Sequence, residues 1–263
     1  MMKRNLFLII SMGCTLVLSS CGQKNYIKTG SADVVSTQSQ TGAIVIRDYS
    51  EKPASKSGIT TSIKTYKDKN ISIQYPVLSH LNDAKKEEEV NALLKNNALK
   101  VLQANSVDPL KDTVIIEARV VSADSKRITA VYTGTYYSEG AAHPLNMFYT
   151  NTVDLTQVKD LGLTDYANPE TLAQYVLSDQ VKFYDASAEL TEALMETRTQ
   201  TDLETYTKIF QEADFPLKNS QPDGTPAFPD SFSYEDKGTI IFSIPVPHVL
   251  GDYALVSYSP VTK

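Results

Sequence analysis

The chain has 263 residues, with 25 Lys and Arg against 31 Asp and Glu, two cysteines and no tryptophan. A net charge of −6 argues against a nucleic-acid binder, whose affinity comes largely from neutralising phosphates with Lys and Arg, and against electrostatic docking on anionic lipid. Two cysteines are too few for a disulfide-stapled scaffold or a cysteine-based metal site, so stability must come from a buried core.

Lys3 and Arg4 form a positive end, and Asn5 to Leu18 is mostly apolar and too short to span a bilayer, which reads as a signal peptide over residues 1–20. The sequence Leu18-Ser19-Ser20-Cys21 resembles the lipobox of bacterial lipoproteins. It predicts cleavage before Cys21, lipidation of that residue with fatty acids such as palmitate, and attachment to the extracytoplasmic face of a bacterial membrane. Cys14 lies inside the apolar run and reads as a core residue of the signal.

Residues 21–61 are rich in Ser, Thr, Lys, Gln and Gly and cannot bury enough surface to offset chain entropy. They read as a flexible tether with a reach of roughly 30 to 40 Å, interrupted by the apolar island Ala43 to Ile46, a candidate docking strand. From Ser62 onward there are 18 basic and 28 acidic residues, so the domain over residues 62–263 carries −10 and would steer basic partners toward it.

Ile63 to Tyr66 and Ile71 to Tyr75, separated by Lys67-Asp-Lys-Asn70, predict a hairpin. Asn82 or Asp83 caps a helix whose first turns hold Glu87, Glu88 and Glu89, and Val90, Leu93, Leu94, Ala98, Val101 and Leu102 form its apolar stripe. Three strands follow, Thr113 to Val121, Arg127 to Tyr137 and Leu145 to Leu155, and their short connections favour an antiparallel meander. Asn168-Pro169 starts a second helix expected to run to about Ala186 on Ala173, Leu177, Val181 and Tyr184. Glu189 to Thr199 and Asp202 to Ala213 read as two more helices, and Asp214 to Asp230 as a loop with four prolines. Phe232 to Ile244 forms a turn-linked strand pair, Pro245 to Asp252 a rigid bend, and Tyr253 to Tyr258 the last strand. The expected class is α+β: an antiparallel β-sheet meander with helices packed on one face.

Three histidines, His80, His143 and His248, are far apart and none has a second ligand at metal-binding spacing. No nucleophile elbow or phosphate loop is present, so no catalytic residues, metal or cofactor are expected. The most distinctive segment is Ser138 to Pro144, between two strands rich in Thr, Tyr and Val. Gly140 can take a positive φ, and Pro144 biases the residue before it to an extended conformation, which fixes the direction of His143. A purely architectural alternative has His143 bonding a nearby carbonyl. Tyr136 and Tyr137 must point to opposite faces, one into the core and one to solvent.

Tyr136-Tyr137-Ser-Glu-Gly140-Ala-Ala-His143-Pro144, then Thr150 to Leu155, then Leu161-Gly-Leu163-Thr-Asp165, resemble the signature of the RsiV-like C-terminal domain. The ending Ile241 to Tyr253, with His248 in its proline-containing bend, is similar to that family's closing segment. The resemblance covers about Ile63 to Pro260. It implies a ligand-binding, non-catalytic α+β domain, found in lysozyme-sensing anti-sigma factors and beside PdaC-type deacetylase domains. The chain departs from those proteins in having a lipoprotein signal in place of a sigma-binding segment and transmembrane helix, and no deacetylase domain.

The leading expectation is a surface lipoprotein that binds lysozyme or a peptidoglycan-associated ligand through Tyr136, Tyr137, Glu139, Gly140, His143 and His248. The alternatives are an envelope glycan hydrolase or deacetylase with a dispersed site, and a structural envelope component.

Overall fold

The computed structural model describes residues 58–260. The expected signal peptide, Cys21 and the island at Ala43 to Ile46 lie outside the described residues. The first strand, β1 (Thr60–Asp68), pairs antiparallel with β2 (Ile71–Ser79) over its whole length, and Ile59 just before it is buried, so the fold begins slightly before Ser62.

Helix α1 (Ala84–Ala104) starts as expected: the Asp83 side chain accepts from the Lys86 N–H at 3.1 Å, and the Glu87 carboxylate accepts from the Leu81 N–H at 2.9 Å. Its buried face is Val90, Leu94, Asn97, Ala98, Val101 and Ala104. Each fully buried Val or Leu in that stripe contributes about 1.5–3 kcal/mol relative to exposure.

The next strands are β3 (Thr113–Ala123), β4 (Arg127–Tyr137), β5 (Leu145–Asp154) and β6 (Lys159–Leu161), and the six strands lie in sequence order in one sheet. The α+β class expected from sequence is met, but the sheet is not a pure antiparallel meander: β2 and β3 run parallel, pairing Ile71 to Ile73 with Val114 to Ile116. The reason is α1, which is long enough to carry the chain back across the sheet as a crossover. Beyond Ile73 the two strands diverge, and the Gln74 side chain accepts from the Ala118 N–H in place of a backbone partner. Asn91 of α1 does the same for Leu78, bonding both its N–H and its carbonyl.

Leu163 begins a helical segment of α2 (Leu163–Tyr166), α3 (Pro169–Leu177), α4 (Ala188–Thr197) and α5 (Leu203–Gln211). Helix α3 stops at Ser178 rather than near Ala186. Val181 and Tyr184 mimic helical spacing, but residues 182–184 are extended along the last strand: Tyr184 N–H donates to the Leu255 carbonyl and Ser257 N–H to the Lys182 carbonyl. The edge of that strand offers this segment backbone partners that a longer helix would leave unpaired.

The closing strands β7 (Ser233–Asp236), β8 (Thr239–Pro245) and β9 (Tyr253–Tyr258) form a separate antiparallel sheet. Ile240, Phe242, Ile244, Ala254 and Val256 face the helices α2 to α5, while Tyr234, Ile241 and Leu255 face the six-stranded sheet. The layers are therefore α1, the six-stranded sheet, the three-stranded sheet, and the remaining helices. Helices thus cover both outer sides rather than one face of a single sheet. The apolar pattern of β8 hid this, because both of its faces are buried and no alternation marks it.

Candidate functional site at the hairpin end

On β4 and β5 the residues facing α1 are Ile128, Ala130, Tyr132, Met147, Tyr149 and Val153. Tyr132 and Tyr149 are cross-strand partners with rings stacked at 4.6 Å, and the Tyr149 hydroxyl donates to the Ala98 carbonyl. On the opposite face Thr129, Val131, Phe148, Thr150 and Thr152 are buried beneath the three-stranded sheet. That cover ends near Phe148, whose ring stacks on Tyr253 at 5.2 Å. Beyond it the face is open, and Ile115 and Tyr137 on it are exposed.

The hairpin connection Ser138 to Pro144 stands at this boundary. Buried Asp112 holds its base: one carboxylate oxygen accepts from the Glu139 N–H at 3.0 Å and the Ser138 hydroxyl at 3.2 Å, and the other from the Asp108 N–H at 2.9 Å. The Glu139 N–H is the main reason that the Asp112 carboxyl sits below its ordinary range. Ala141 N–H donates to the Ser138 carbonyl, and Gly140 takes φ +83°, the left-handed conformation expected of it.

Opposite the connection lies the bend between β8 and β9. Pro245 and Pro247 lead into a short turn at His248–Leu250, and Gly251 and Asp252 follow with φ of 104° and 72°. A positive φ at a non-glycine residue costs energy, and here it aims the Asp252 carboxylate. Asp252 accepts from the Asn146 N–H at 2.8 Å and the Asn146 side-chain amide at 3.0 Å, which ties the bend to the first residues of β5. It also bonds His248 Nδ1 at 2.9 Å. The His248 ring stacks on His143, with centroids 3.4 Å apart and planes 6° from parallel.

The structure thus joins two of the sequence-predicted residues, His143 and His248, which lie more than a hundred positions apart. Tyr136 packs against the core with α1, so Tyr137 is the tyrosine presented to solvent. Glu139 and Gly140 are exposed, and Glu139 lies 3.8 Å from Lys111 in a surface ion pair that contributes little. Sequence reasoning missed Asp252, Asn146 and Asp112. The first stands four residues after His248 in a proline-rich bend, a readable signal; the other two are ordinary turn and strand-end residues that only the fold makes specific. Tyr253 is held up by burial at about 12, so its hydroxyl stays neutral beside the bend.

A second buried carboxylate, Asp214, binds the helical segment to the sheets. It accepts from the Leu163 N–H at 2.7 Å and from the Ser233 N–H and hydroxyl, both at 2.6 Å. Burial outweighs these bonds and raises its carboxyl to about 6. Among the described residues no group of three or more His, Cys, Asp and Glu is arranged to hold a metal ion, and no helix is long and apolar enough to cross a membrane.

These features define an α+β domain of two stacked sheets with an exposed end where one hairpin connection meets one bend. No known family's sequence profile matches the chain, and no curated protein does. Among solved structures, a member of the DUF3298 family from Bacteroides fragilis is similar at a TM-score of 0.43 and 15% identity, over 77% of this chain and 91% of that one. A DUF3298 family protein from Pseudomonas aeruginosa gives a TM-score of 0.38 and 10% identity, over 70% and 82%. At such scores the likeness is too distant to inform the site.

Proposed function

We propose that this protein is a lipid-anchored, extracytoplasmic binding protein without catalytic activity, and that its ligand seats on the hairpin end. The observation that carries this reading is the junction of the Ser138 to Pro144 connection with the His248 bend. Two separate loops are held together there at the margin of an open sheet face, with Tyr137, Leu145 and Val249 exposed around them. Aromatic and aliphatic side chains on a rigid support are the usual anchors of a protein or glycan contact. The lipobox-like segment ending at Cys21 supplies the anchor, and a wall-associated ligand follows from that address. Lysozyme, a basic protein, and peptidoglycan glycan are the two candidates to test, and the acidic domain favours the former.

Mass spectrometry of the membrane-extracted protein tests the anchor: the expected result is a diacylglyceryl-modified Cys21, and an unmodified or retained leader would refute it. Calorimetric titration of a soluble form beginning at Gly22 with lysozyme tests the ligand. Saturable binding weakened by Tyr137→Ala or His143→Ala is expected. Turnover of peptidoglycan or of acetylated chitooligosaccharides that is lost in His143→Ala would instead establish the hydrolase or deacetylase reading.

A further inference from the structure

Among the described residues β1 (Thr60–Asp68) is the outermost strand of the six-stranded sheet and pairs only with β2, so one long edge is free. We propose that the apolar island Ala43 to Ile46 adds to that edge as an antiparallel strand, with Val45 opposite Ile63.

The backbone of β1 defines where such a strand bonds. Leu78 of β2 turns both its N–H and its carbonyl away from β1, to the Asn91 side chain. Its neighbours Val77 and Ser79 therefore point toward β1, opposite Ser62 and Thr60. By the same alternation Thr61, Ile63 and Thr65 direct their N–H and carbonyl groups outward, where no described residue meets them. Every residue from Thr60 to Thr65 is exposed, and Ile63 keeps 42% of its surface open. An unpaired edge of this length is a template for a further strand.

The island suits this edge better than a second copy of the chain does. It is an uncharged run of Ala and β-branched residues within a segment otherwise too polar to bury surface. Two copies of β1 would each bring Lys64 and Lys67 to the contact, and edge lysines oppose such pairing. The chain also arrives in the right place. Residues 47–57 can span up to roughly 36 Å, whereas Ile63 stands only about 10 Å along the strand from Thr60. Gly58, at φ +73° with open space beside it, permits a reversal just before the strand, and buried Ile59 pins the point of entry. With Val45 opposite Ile63, Ala43 lies opposite Thr65 and Arg47 opposite Thr61. Ile44 then falls diagonal to Tyr66, which is partly buried against the core.

Pairing changes how the domain is held by its anchor, a consequence that rests on the lipid-anchor reading. The turn after Asp68 lies at the hairpin end, because Ile71 pairs with Val114, Val114 with Tyr136 and Tyr136 with Leu145. An antiparallel island carries the chain before it toward that end. The free tether then leaves the domain heading toward the hairpin end instead of from Gly58, at the far end of β1. About twenty residues of it remain, with a reach of roughly 25 Å.

The test uses the soluble form from Gly22 to Lys263 and amide hydrogen exchange resolved by residue with NMR. The Thr61, Ile63 and Thr65 amides are expected to exchange at least about tenfold more slowly in the wild type than in Ile44→Asp/Ile46→Asp. Val45→Pro, which lacks the N–H that pairs with the Ile63 carbonyl, gives the same acceleration. Ser62 and Lys64, bonded to β2, are the internal control and keep their protection in every variant. All the substituted residues precede the folded domain, so its core is untouched. Equal exchange in wild type and variants, whether fast or slow, overturns the proposal. Slowing that disappears on about tenfold dilution also overturns it, because it assigns the edge to a second copy. Neither outcome bears on lipidation of Cys21 or on lysozyme binding.

Discussion

The segment from Leu163 to Ser231 holds thirteen acidic and four basic residues, whereas the remainder of the domain from Ser62 holds fifteen and fourteen. Nearly all of the net charge therefore belongs to the helices α2 to α5 and the proline-rich loop after them. The hairpin end, where the β4–β5 connection meets the β8–β9 bend, holds Lys111 with Asp112, Glu139 and Asp252 and carries exposed aromatic, aliphatic and imidazole groups. Charge and exposed apolar surface are thus concentrated in different parts of the molecule. If a basic partner seats at the hairpin end as proposed, charge on the helical segment sets how fast it arrives and the hairpin end sets how long it stays. A single figure of −10 for the whole domain conceals that division.

The largest expected effect is on the support of the hairpin end. Gly134 lies in β4 three residues before Tyr137, and a Cβ there would stand 1.9 Å from the Ile115 carbonyl oxygen. Backbone cannot yield as a flexible side chain would, so Gly134→Ala should cost about 3 kcal/mol or more and separate β3 from β4. Chemical denaturation measures it. A loss under about 1 kcal/mol would mean that the strands adjust freely and that the hairpin end is not rigidly mounted.

The second effect falls on the junction between the two regions. Asp214 titrates at 3.8 when unfolded and at about 6 when folded, so between those values the folded chain holds a proton that the unfolded chain has released. Its contribution to stability is full below about 4 and is lost as pH rises through 6, a change of roughly 3 kcal/mol at 1.36 kcal/mol per unit. Asp214→Asn lacks this titration, though its amide faces N–H donors and lowers stability by about 1–3 kcal/mol. Denaturation midpoints from pH 4 to 7 should therefore converge, the wild type falling toward the variant as pH rises. Parallel curves would contradict the burial of this carboxylate.

A smaller effect separates steering from seating. Glu189→Gln, Glu192→Gln and Glu196→Gln together remove three charges from α4, where the side chains are exposed or half-exposed. Stability should change by less than about 0.5 kcal/mol per substitution. The association rate with a basic ligand should fall several-fold at low salt, with the dissociation rate unchanged. A change confined to dissociation would place the contact on the helices. His143→Ala is the converse case: little change in stability or association rate, and faster dissociation.

Much of this architecture was legible along the chain. The β1–β2 turn, the Asp83 cap and the Asn168-Pro169 helix start are local, because each is set by residues within four positions of one another. What was illegible depends on partners distant in sequence. Val181 and Tyr184 continue the helical spacing of α3, yet the edge of β9, some seventy residues on, draws their segment into an extended bridge. The parallel step from β2 to β3 follows from α1, whose length permits a crossover that the strand patterns alone do not reveal. At the candidate site the unusual composition marked the connection containing His143 and the bend containing His248. That the two meet is a consequence of stacking two sheets, which no local pattern encodes.

The most direct test is the dissociation rate of lysozyme from the immobilised protein, compared among wild type, Tyr137→Ala/His143→Ala and the triple α4 variant at low and physiological salt. A hairpin-end site predicts dissociation at least about tenfold faster in the double variant at both salts, with the α4 variant indistinguishable from wild type. Lysozyme binding that is unchanged in the double variant, or absent from the wild type at both salts, would contradict it.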